Sequence, residues 1–283
     1  MDSLVYHNDS IVEAKSEMLP PTAAGLIYGW GVFTTLRVYD STAFAFDMHW
    51  ERLVRHAERA RVPITVDREQ VLGAIEQLIS ANKTISGRAR VTITKGEAGS
   101  WRAGSGREAE LLIFTSSEQA RARSDLAITI SPYRLLSTGL LTGVKQTAML
   151  EHLFALEEAR SRGFQEGVLL NERGEIVSAT SANIFWVQGD ELFTPSLATG
   201  CVAGVTRRIV LAIARRMRLH TAEGSYPIQR LLEAGELFLT SSAMEIALAT
   251  SFDMKVYDQK SARLAGHIIR EFRKAVRSGN PPS

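Results

Sequence analysis

Between Leu4 and Ser116 two amphipathic helical stretches are bracketed by strand-like runs, and this grouping limits the fold more than any other feature. Residues 32–39 and 44–46 are rich in β-branched and aromatic side chains around the turn Asp40-Ser41, which predicts a hairpin. Asp47 then precedes a helix to about Arg61, with Leu53, Val54, Ala57 and Ala60 on one side and Pro63 as its stop. Asp67 opens a second helix, where Gln70 completes a capping box and Val71, Leu72, Ile75, Leu78 and Ile79 form the apolar stripe. Strands are expected at 90–94 and 111–115, joined by the Gly-rich GEAGSWRAGSG.

The polar stretch after Ser116 predicts a linker over 117–124 between a smaller α+β domain, 1–116, and a larger one, 125–283. The second part opens with a strand at 126–131, a loop holding Lys145 and a helix over 149–162. Short strands at 167–170, Ile176–Ala179, 183–187 and 191–194 are separated by Glu172-Arg173-Gly174 and Gly189-Asp190, which predicts a meander. A helix over 205–217, a strand end at 238–242 and a last helix over 263–278 complete an α+β order, grouped rather than strictly alternating.

Composition removes several functions. A chain of 283 residues with 45% hydrophobic and 23% charged side chains is that of a folded protein of about two packed units. With 33 basic against 31 acidic side chains, the field is too even for a nucleic-acid binder. A lone cysteine, Cys201, supports no disulfide scaffold and points to a reducing cytoplasm. The opening MDSLVYHNDS does not resemble a secretory signal, and no apolar run approaches the roughly 18 residues that span a bilayer, so a soluble intracellular protein is expected. The six histidines show no ligand spacing with carboxylates, and no metal is expected.

Four places carry candidate chemistry. Lys145 lies between apolar segments just before a helix, where burial would lower its pKa and favour a Schiff base, or it is a surface lysine. In GCVAGVT, the N–H groups of Val205 and Thr206 open a helix and suit a phosphate, or form a plain cap. Thr240-Ser241-Ser242 ends a strand and offers hydroxyls to the same kind of anion, or is a Ser-rich turn. Arg52 on the first helix is a bidentate phosphate partner or a solvated arginine. Arg207, Arg208, Arg215 and Arg218 are expected on the outer, solvated face of the helix from Val205.

GWGVFTTLRVYD with HWERL, a lysine before a helix, FQEGVLLNERGEIV, NIFWV, LFTPSL, GVTRRIV and FLTSSAMEI, in this order and spacing, resemble the class IV aminotransferases, the fold-type IV enzymes dependent on pyridoxal phosphate. The resemblance runs through nearly the whole chain. It implies two α+β domains, the cofactor between them and a homodimer that completes the site. It makes Lys145 the lysine that binds the cofactor and shuttles the substrate proton. Arg52, in His49 to Arg52, becomes the phosphate arginine of the family's H-x-x-R, Val205 and Thr206 the phosphate pair at a helix N-terminus, and Ser241 and Ser242 the second phosphate loop.

Two departures refine the implied activity. Aminotransferases of this family usually read G-V-F/Y-E, whereas Phe33 is followed here by Thr34 and Thr35, similar to aminodeoxychorismate lyases; the sequence LEH at Leu150 to His152 also looks lyase-like. The implied reaction is cleavage of 4-amino-4-deoxychorismate to 4-aminobenzoate and pyruvate, with Thr34 or Thr35 placing the departing group and an arginine such as Arg102 meeting a carboxylate. Tyr28, Trp30 and Phe33 would line the ring pocket or belong to the core. The second departure is Ser178, five residues before Asn183, where the family has a glutamate that pairs with the pyridine nitrogen. Glu175 stands at an odd offset and would point to the other face of a strand. An aminotransferase of branched-chain or D-amino acids is the alternative, and a non-catalytic ligand-binding relative the second.

Overall fold

The computed structural model describes residues 1–16, 22–96, 107–118 and 126–282. Arg102 and residues 119–124 of the expected linker lie outside them. The chain divides into two units, Met1–Ala120 with Val144–Ala148, and Arg121–Gly143 with Met149–Ser283.

Unit 1 contains β1 (Leu4–His7), β2 (Ser10–Glu13), α1 (Ala24–Tyr28), β3 (Gly31–Tyr39), β4 (Thr42–Ala43), α2 (Phe46–Arg59), α3 (Arg68–Ala81), β5 (Gly87–Lys95) and β6 (Ala109–Ser117). The strands form one antiparallel sheet in the order β2-β1-β6-β5-β3-β4. On the face toward the helices Val32, Leu36, Val38, Ala89, Val91, Ile93, Leu111 and Ile113 are buried, Phe33 and Arg37 are also buried on the other face of β3, and α2 and α3 pack beside this sheet through Leu53, Ala57, Val71, Ile75 and Leu78. The alternate positions Thr35, Arg88, Arg90, Thr92, Leu112 and Phe114 stay partly exposed. The capping box forms as expected: Asp67 Oδ1 accepts from Gln70 N at 2.8 Å, and Gln70 Oε1 accepts from Asp67 N at 2.8 Å.

Two expectations in unit 1 need correction. The second hairpin strand is Thr42–Ala43, not 44–46, because Phe46 already belongs to α2 and stacks on Trp50 one turn later at 6.5 Å between ring centroids. The five-residue α1 was not expected; Gly29 ends it at φ +63°, and an added Cβ there would lie 3.0 Å from the Ala148 Cβ.

Unit 2 contains β7 (Leu126–Leu135), α4 (Leu150–Ser161), β8 (Glu166–Asn171), β9 (Ile176–Ala179), β10 (Asn183–Gln188), β11 (Glu191–Pro195), α5 (Val205–Arg216), β12 (Thr221–Gly224), α6 (Gln229–Glu233), β13 (Glu236–Ser241), β14 (Glu245–Phe252), β15 (Lys255–Val256) and α7 (Arg263–Ser278). The sheet order is β12-β11-β10-β13-β14-β7-β8-β9, with β15 on β14. The expected meander is therefore replaced by two separate hairpins, β8-β9 and β10-β11, with β13, β14 and β7 between them. Local turn signals identify the hairpins; partners from distant sequence insert between them. Buried Glu166 holds the connection from β9 to β10, accepting from the Thr180 N–H at 3.1 Å and from the Thr180 and Ser181 hydroxyls. Leu126, Ile128, Val168, Ile176, Ile184, Trp186 and Leu239 form the centre of this unit's core.

The basic face of α5 is also corrected. Arg207 is buried, donates to the Pro195 carbonyl at 2.9 Å and pairs with Glu223 at 2.5 Å, while Arg218 lies beyond the helix at φ 55°. Among the described residues no helix is long and apolar enough to cross a membrane.

Candidate active site

Lys145 lies in the segment Val144–Ala148, which belongs to unit 1 although its sequence neighbours belong to unit 2. The segment runs along the start of β3: Val32 and Gln146 form a bridge, Lys145 O accepts from Phe33 N at 3.1 Å, and Thr147 N donates to Gly31 O at 2.9 Å. The Thr147 hydroxyl donates to Gly29 O at 2.5 Å. Lys145 N donates to His56 Nδ1 at 3.0 Å, so both main-chain polar groups of the lysine are held. Its Nζ stands 4.4 Å from the centre of the Phe33 ring, and the Arg90 guanidinium carbon 3.6 Å from the same ring. Among the described residues no carboxylate forms an ion pair with either cation. Burial, then the charges of Arg52 and Arg90, pushes the Lys145 amine down to about 7.

The cation-rich setting comes from α2. His49, Arg52 and His56, at i, i+3 and i+7, share one buried face of that helix. Arg52 Nη2 donates to Thr34 Oγ1 at 2.8 Å, and Thr34 Oγ1 lies 2.6 Å from His49 Nδ1. A guanidinium only donates, so the Thr34 hydroxyl accepts from Arg52 and passes its own proton toward an unprotonated His49 Nδ1. Arg52 Nε is buried with no partner among the described residues. Burial, then Arg55, lowers Arg52 to about 10; burial, then Arg52 and Lys145, holds His49 well below the usual imidazole range. His56 is lowered to about 3 by burial first and then by Arg52, Arg55, Arg59 and Lys145.

These histidines set a pH dependence. A folded-state pKa below the unfolded value near 6.5 means that only the unfolded chain takes up the proton as pH falls. The contribution to stability is complete above about 6.5 and is lost as pH drops toward about 3. Between pH 7 and pH 5, urea unfolding of the wild type should lose about 2 kcal/mol more than that of His56→Asn, which has no imidazole to charge. Equal losses in the two proteins would show that His56 takes up its proton in the folded state.

The remaining candidates in unit 1 divide between the two faces of the sheet. Thr35 pairs directly with Arg90 across β3 and β5, on the partly exposed face with Phe33, whereas Thr34 faces α2. Trp30 Nε1 donates to the Ala60 carbonyl at 2.8 Å, and its ring lies 4.0 Å from Lys95 Nζ. Tyr28, on α1, is exposed.

In unit 2, α5 starts at Val205 with Gly204 as N-cap and no side-chain cap, and no acidic residue stands in its first turn. A Cβ at 204 would sit 2.1 Å from Asn183 Oδ1, so any larger residue there must push that side chain aside. Thr206 is buried, the Thr240 hydroxyl is buried without a partner among the described residues, and Ser241 Oγ accepts from Met244 N at 3.2 Å. Ser242 follows in the turn after β13. Ser178, on β9 opposite Leu169, is buried and makes no hydrogen bond to another described side chain or turn. Glu175 is engaged by Arg173 at 2.6 Å and by Asn171 at 2.7 Å, away from this role.

Comparison with known proteins gives a match to the family described as Amino-transferase class IV over residues 31–252. The chain belongs to the class IV aminotransferases. This class IV chain is 28% identical to the aminodeoxychorismate lyase of Bacillus subtilis over 97% of its own length and 95% of the relative's. It is 27% identical to a putative branched-chain-amino-acid aminotransferase of Methanocaldococcus jannaschii, over 97% of this chain and 96% of that one. The crystal structure of the Escherichia coli branched-chain amino acid aminotransferase shares the fold with a TM-score of 0.91 at 24% identity, covering 99% of this chain and 96% of that one. The α+β fold-type IV architecture follows from that likeness.

Class IV aminotransferases depend on pyridoxal phosphate, and the residues of each unit fit such a group. An amine lowered to about 7 is set beside two arginines that have no carboxylate partner among the described residues, and one of them, Arg52, keeps a buried Nε without a partner among them. The bare first turn of α5 and the unpartnered Thr240 hydroxyl suit an oxyanion. His56 and Arg90 were not picked out from the sequence. The i, i+3, i+7 spacing of His49, Arg52 and His56 is the signal that was there to find them on one helix face; Arg90 stood inside an ordinary strand pattern.

Proposed function

We propose that this class IV enzyme is a pyridoxal-phosphate-dependent lyase that converts 4-amino-4-deoxychorismate to 4-aminobenzoate and pyruvate, a step toward folate. The observation that carries this is Lys145: an amine held through both main-chain groups and lowered to about 7 by burial and two cations, which suits it to carry a carbonyl cofactor and move a proton. Arg52, Val205, Thr206, Ser241 and Ser242 are assigned to the phosphate and Ser178 to the pyridine nitrogen. Bound there, the cofactor supplies an electron sink for the carbon bearing the substrate amine.

The Lys145 amine takes the proton from that carbon, and near neutrality about half of it is in the basic form that this step needs. Arg90, partly exposed and without a carboxylate partner among the described residues, receives a substrate carboxylate. Thr35, opposite Arg90, places the departing enolpyruvyl group, while Thr34 acts by holding Arg52. Phe33 gives the ring a flat wall, and Tyr28 and Trp30 border the pocket.

A serine at 178 suits a lyase. A hydroxyl cannot hold a pyridinium as a carboxylate does, and formation of an aromatic product drives pyruvate loss even with a weaker sink. The 28% identity to the Bacillus subtilis lyase and the Thr34-Thr35 pair support this activity. A second reading, amino transfer from branched-chain or D-amino acids to 2-oxoglutarate, is favoured by the 27% identity to the Methanocaldococcus jannaschii relative. We also take the protein to be a cytoplasmic homodimer; exposed Leu150, Leu153 and Phe154 on α4 are an apolar face of the kind a second copy covers.

The test is product analysis with the pyridoxal-phosphate-loaded protein. Pyruvate release from 4-amino-4-deoxychorismate should exceed glutamate formation from amino acids and 2-oxoglutarate, and Ser178→Glu should change the lyase rate by less than about tenfold, no more than an ordinary hydrogen bond is worth. Efficient amino transfer without pyruvate would replace the lyase by the second reading, and a rise of orders of magnitude in Ser178→Glu would refute the account of Ser178.

A further inference from the structure

We propose that His56 is a positioning residue for Lys145: its unprotonated Nδ1 accepts the Lys145 backbone N–H and fixes where the lysine stands beside Phe33 and Arg90. The two residues are 89 positions apart, and the bond, at 3.0 Å, joins a helix to a segment whose backbone pairing with the sheet, among the described residues, runs along the start of β3. A backbone amide is always a donor, so the geometry alone requires the Nδ1 lone pair and places the ring proton on Nε2. Without this acceptor the Lys145 N–H would be a partly buried donor with nothing to satisfy it, at the residue whose placement matters most.

The surroundings keep the acceptor intact. Arg52 and Arg59 stand one turn to either side on α2, with Arg55 adjacent in sequence, and these three guanidiniums and the Lys145 amine are the charges that act on the ring. The guanidiniums are cationic throughout and the amine is cationic below about 7, so a second ring proton is opposed, and the imidazole stays neutral through the working pH range. If the ring were charged, Nδ1 would become a donor facing a donor, and the Val144–Ala148 segment would be pushed from α2. His56 thereby holds the lysine in the place where burial and the two arginines lower its pKa.

The role depends on Lys145 being the lysine that carries pyridoxal phosphate, and the experiment separates the two claims. An asparagine amide places its oxygen close to the position of Nδ1, whereas a glutamine places it near Nε2, so His56→Asn keeps the acceptor and His56→Gln loses it. In the cofactor-free protein, hydrogen exchange of the Lys145 amide should be wild-type-like in His56→Asn and about tenfold faster or more in His56→Gln. The apparent pKa of the Lys145 amine, read from the pH dependence of its acylation by acetic anhydride, should stay near 7 in the first and rise in the second.

Equal exchange and equal amine pKa in wild type and both variants would overturn the proposal, because filling space would then be all that position 56 does. If neither variant matches the wild type, the acceptor is not the property that matters and the proposal also fails. A Lys145→Ala protein that still develops a visible band with pyridoxal phosphate would remove the cofactor lysine itself, whatever the exchange data say.

Discussion

Lys145→Ala should abolish the visible absorption band that the wild-type protein develops with pyridoxal phosphate and lower turnover by at least about 10³-fold, since covalent attachment and proton transfer are both lost. The loss in rate should come with a gain in stability. In the folded chain the amine has a pKa of about 7 against 10.5 in an exposed lysine, so folding carries a cost that is complete below pH 7 and disappears as pH rises through 10.5. Because the lysine is only partly buried, the cost is a fraction of what the full shift implies. Lys145→Met, which keeps the stem and removes the charge, should stabilise the cofactor-free protein by about 1–3 kcal/mol at neutral pH. Urea unfolding at pH 7 and pH 10 measures it, and the difference between variant and wild type should shrink at the higher pH. A variant less stable than the wild type at pH 7 would mean that the amine is not held in a hostile setting.

Arg52→Met should separate binding from folding in the same way. Among the described residues the guanidinium gives one hydrogen bond, to Thr34, and keeps a buried Nε without a partner, an arrangement that costs the empty protein and suits an incoming oxyanion. Methionine fills most of the volume, and Thr34 and His49 still satisfy each other at 2.6 Å. Pyridoxal phosphate should bind about 10–100-fold more weakly, the value of one charge-assisted contact, while the unfolding midpoint of the cofactor-free protein holds or rises. Removing a guanidinium should also raise the Lys145 pKa, because the charge of Arg52 helps to depress it. Unchanged cofactor affinity, measured by titration of the visible band, would take Arg52 out of the phosphate site.

What chain order alone determined is local. The capping box at Asp67 and Gln70, the one-sided alternation in β5 and β6, the hairpins β8-β9 and β10-β11 and the limits of α7 all follow from residues within a few positions of each other. The ordered series of motifs was enough to give the family, since the spacing of Phe33, Arg52, Lys145, Asn183, Thr206 and Ser241 can be read without coordinates.

Tertiary structure decided the rest. The insertion of β13, β14 and β7 between two hairpins has no local signature, because pairing of distant strands depends on what remains to cover an open edge. Arg207 looked like its exposed neighbours until Glu223 and the Pro195 carbonyl supplied partners from outside the helix. The electrostatics of Lys145 belong here too. Its sequence neighbours are apolar, yet its pKa is set by Arg52 and Arg90 and its main chain is held by His56, residues 55 or more positions away. Hydrophobic period records which face a residue takes, whereas the charge and hydrogen-bond partners that tune an amine arise only when the chain folds back on itself.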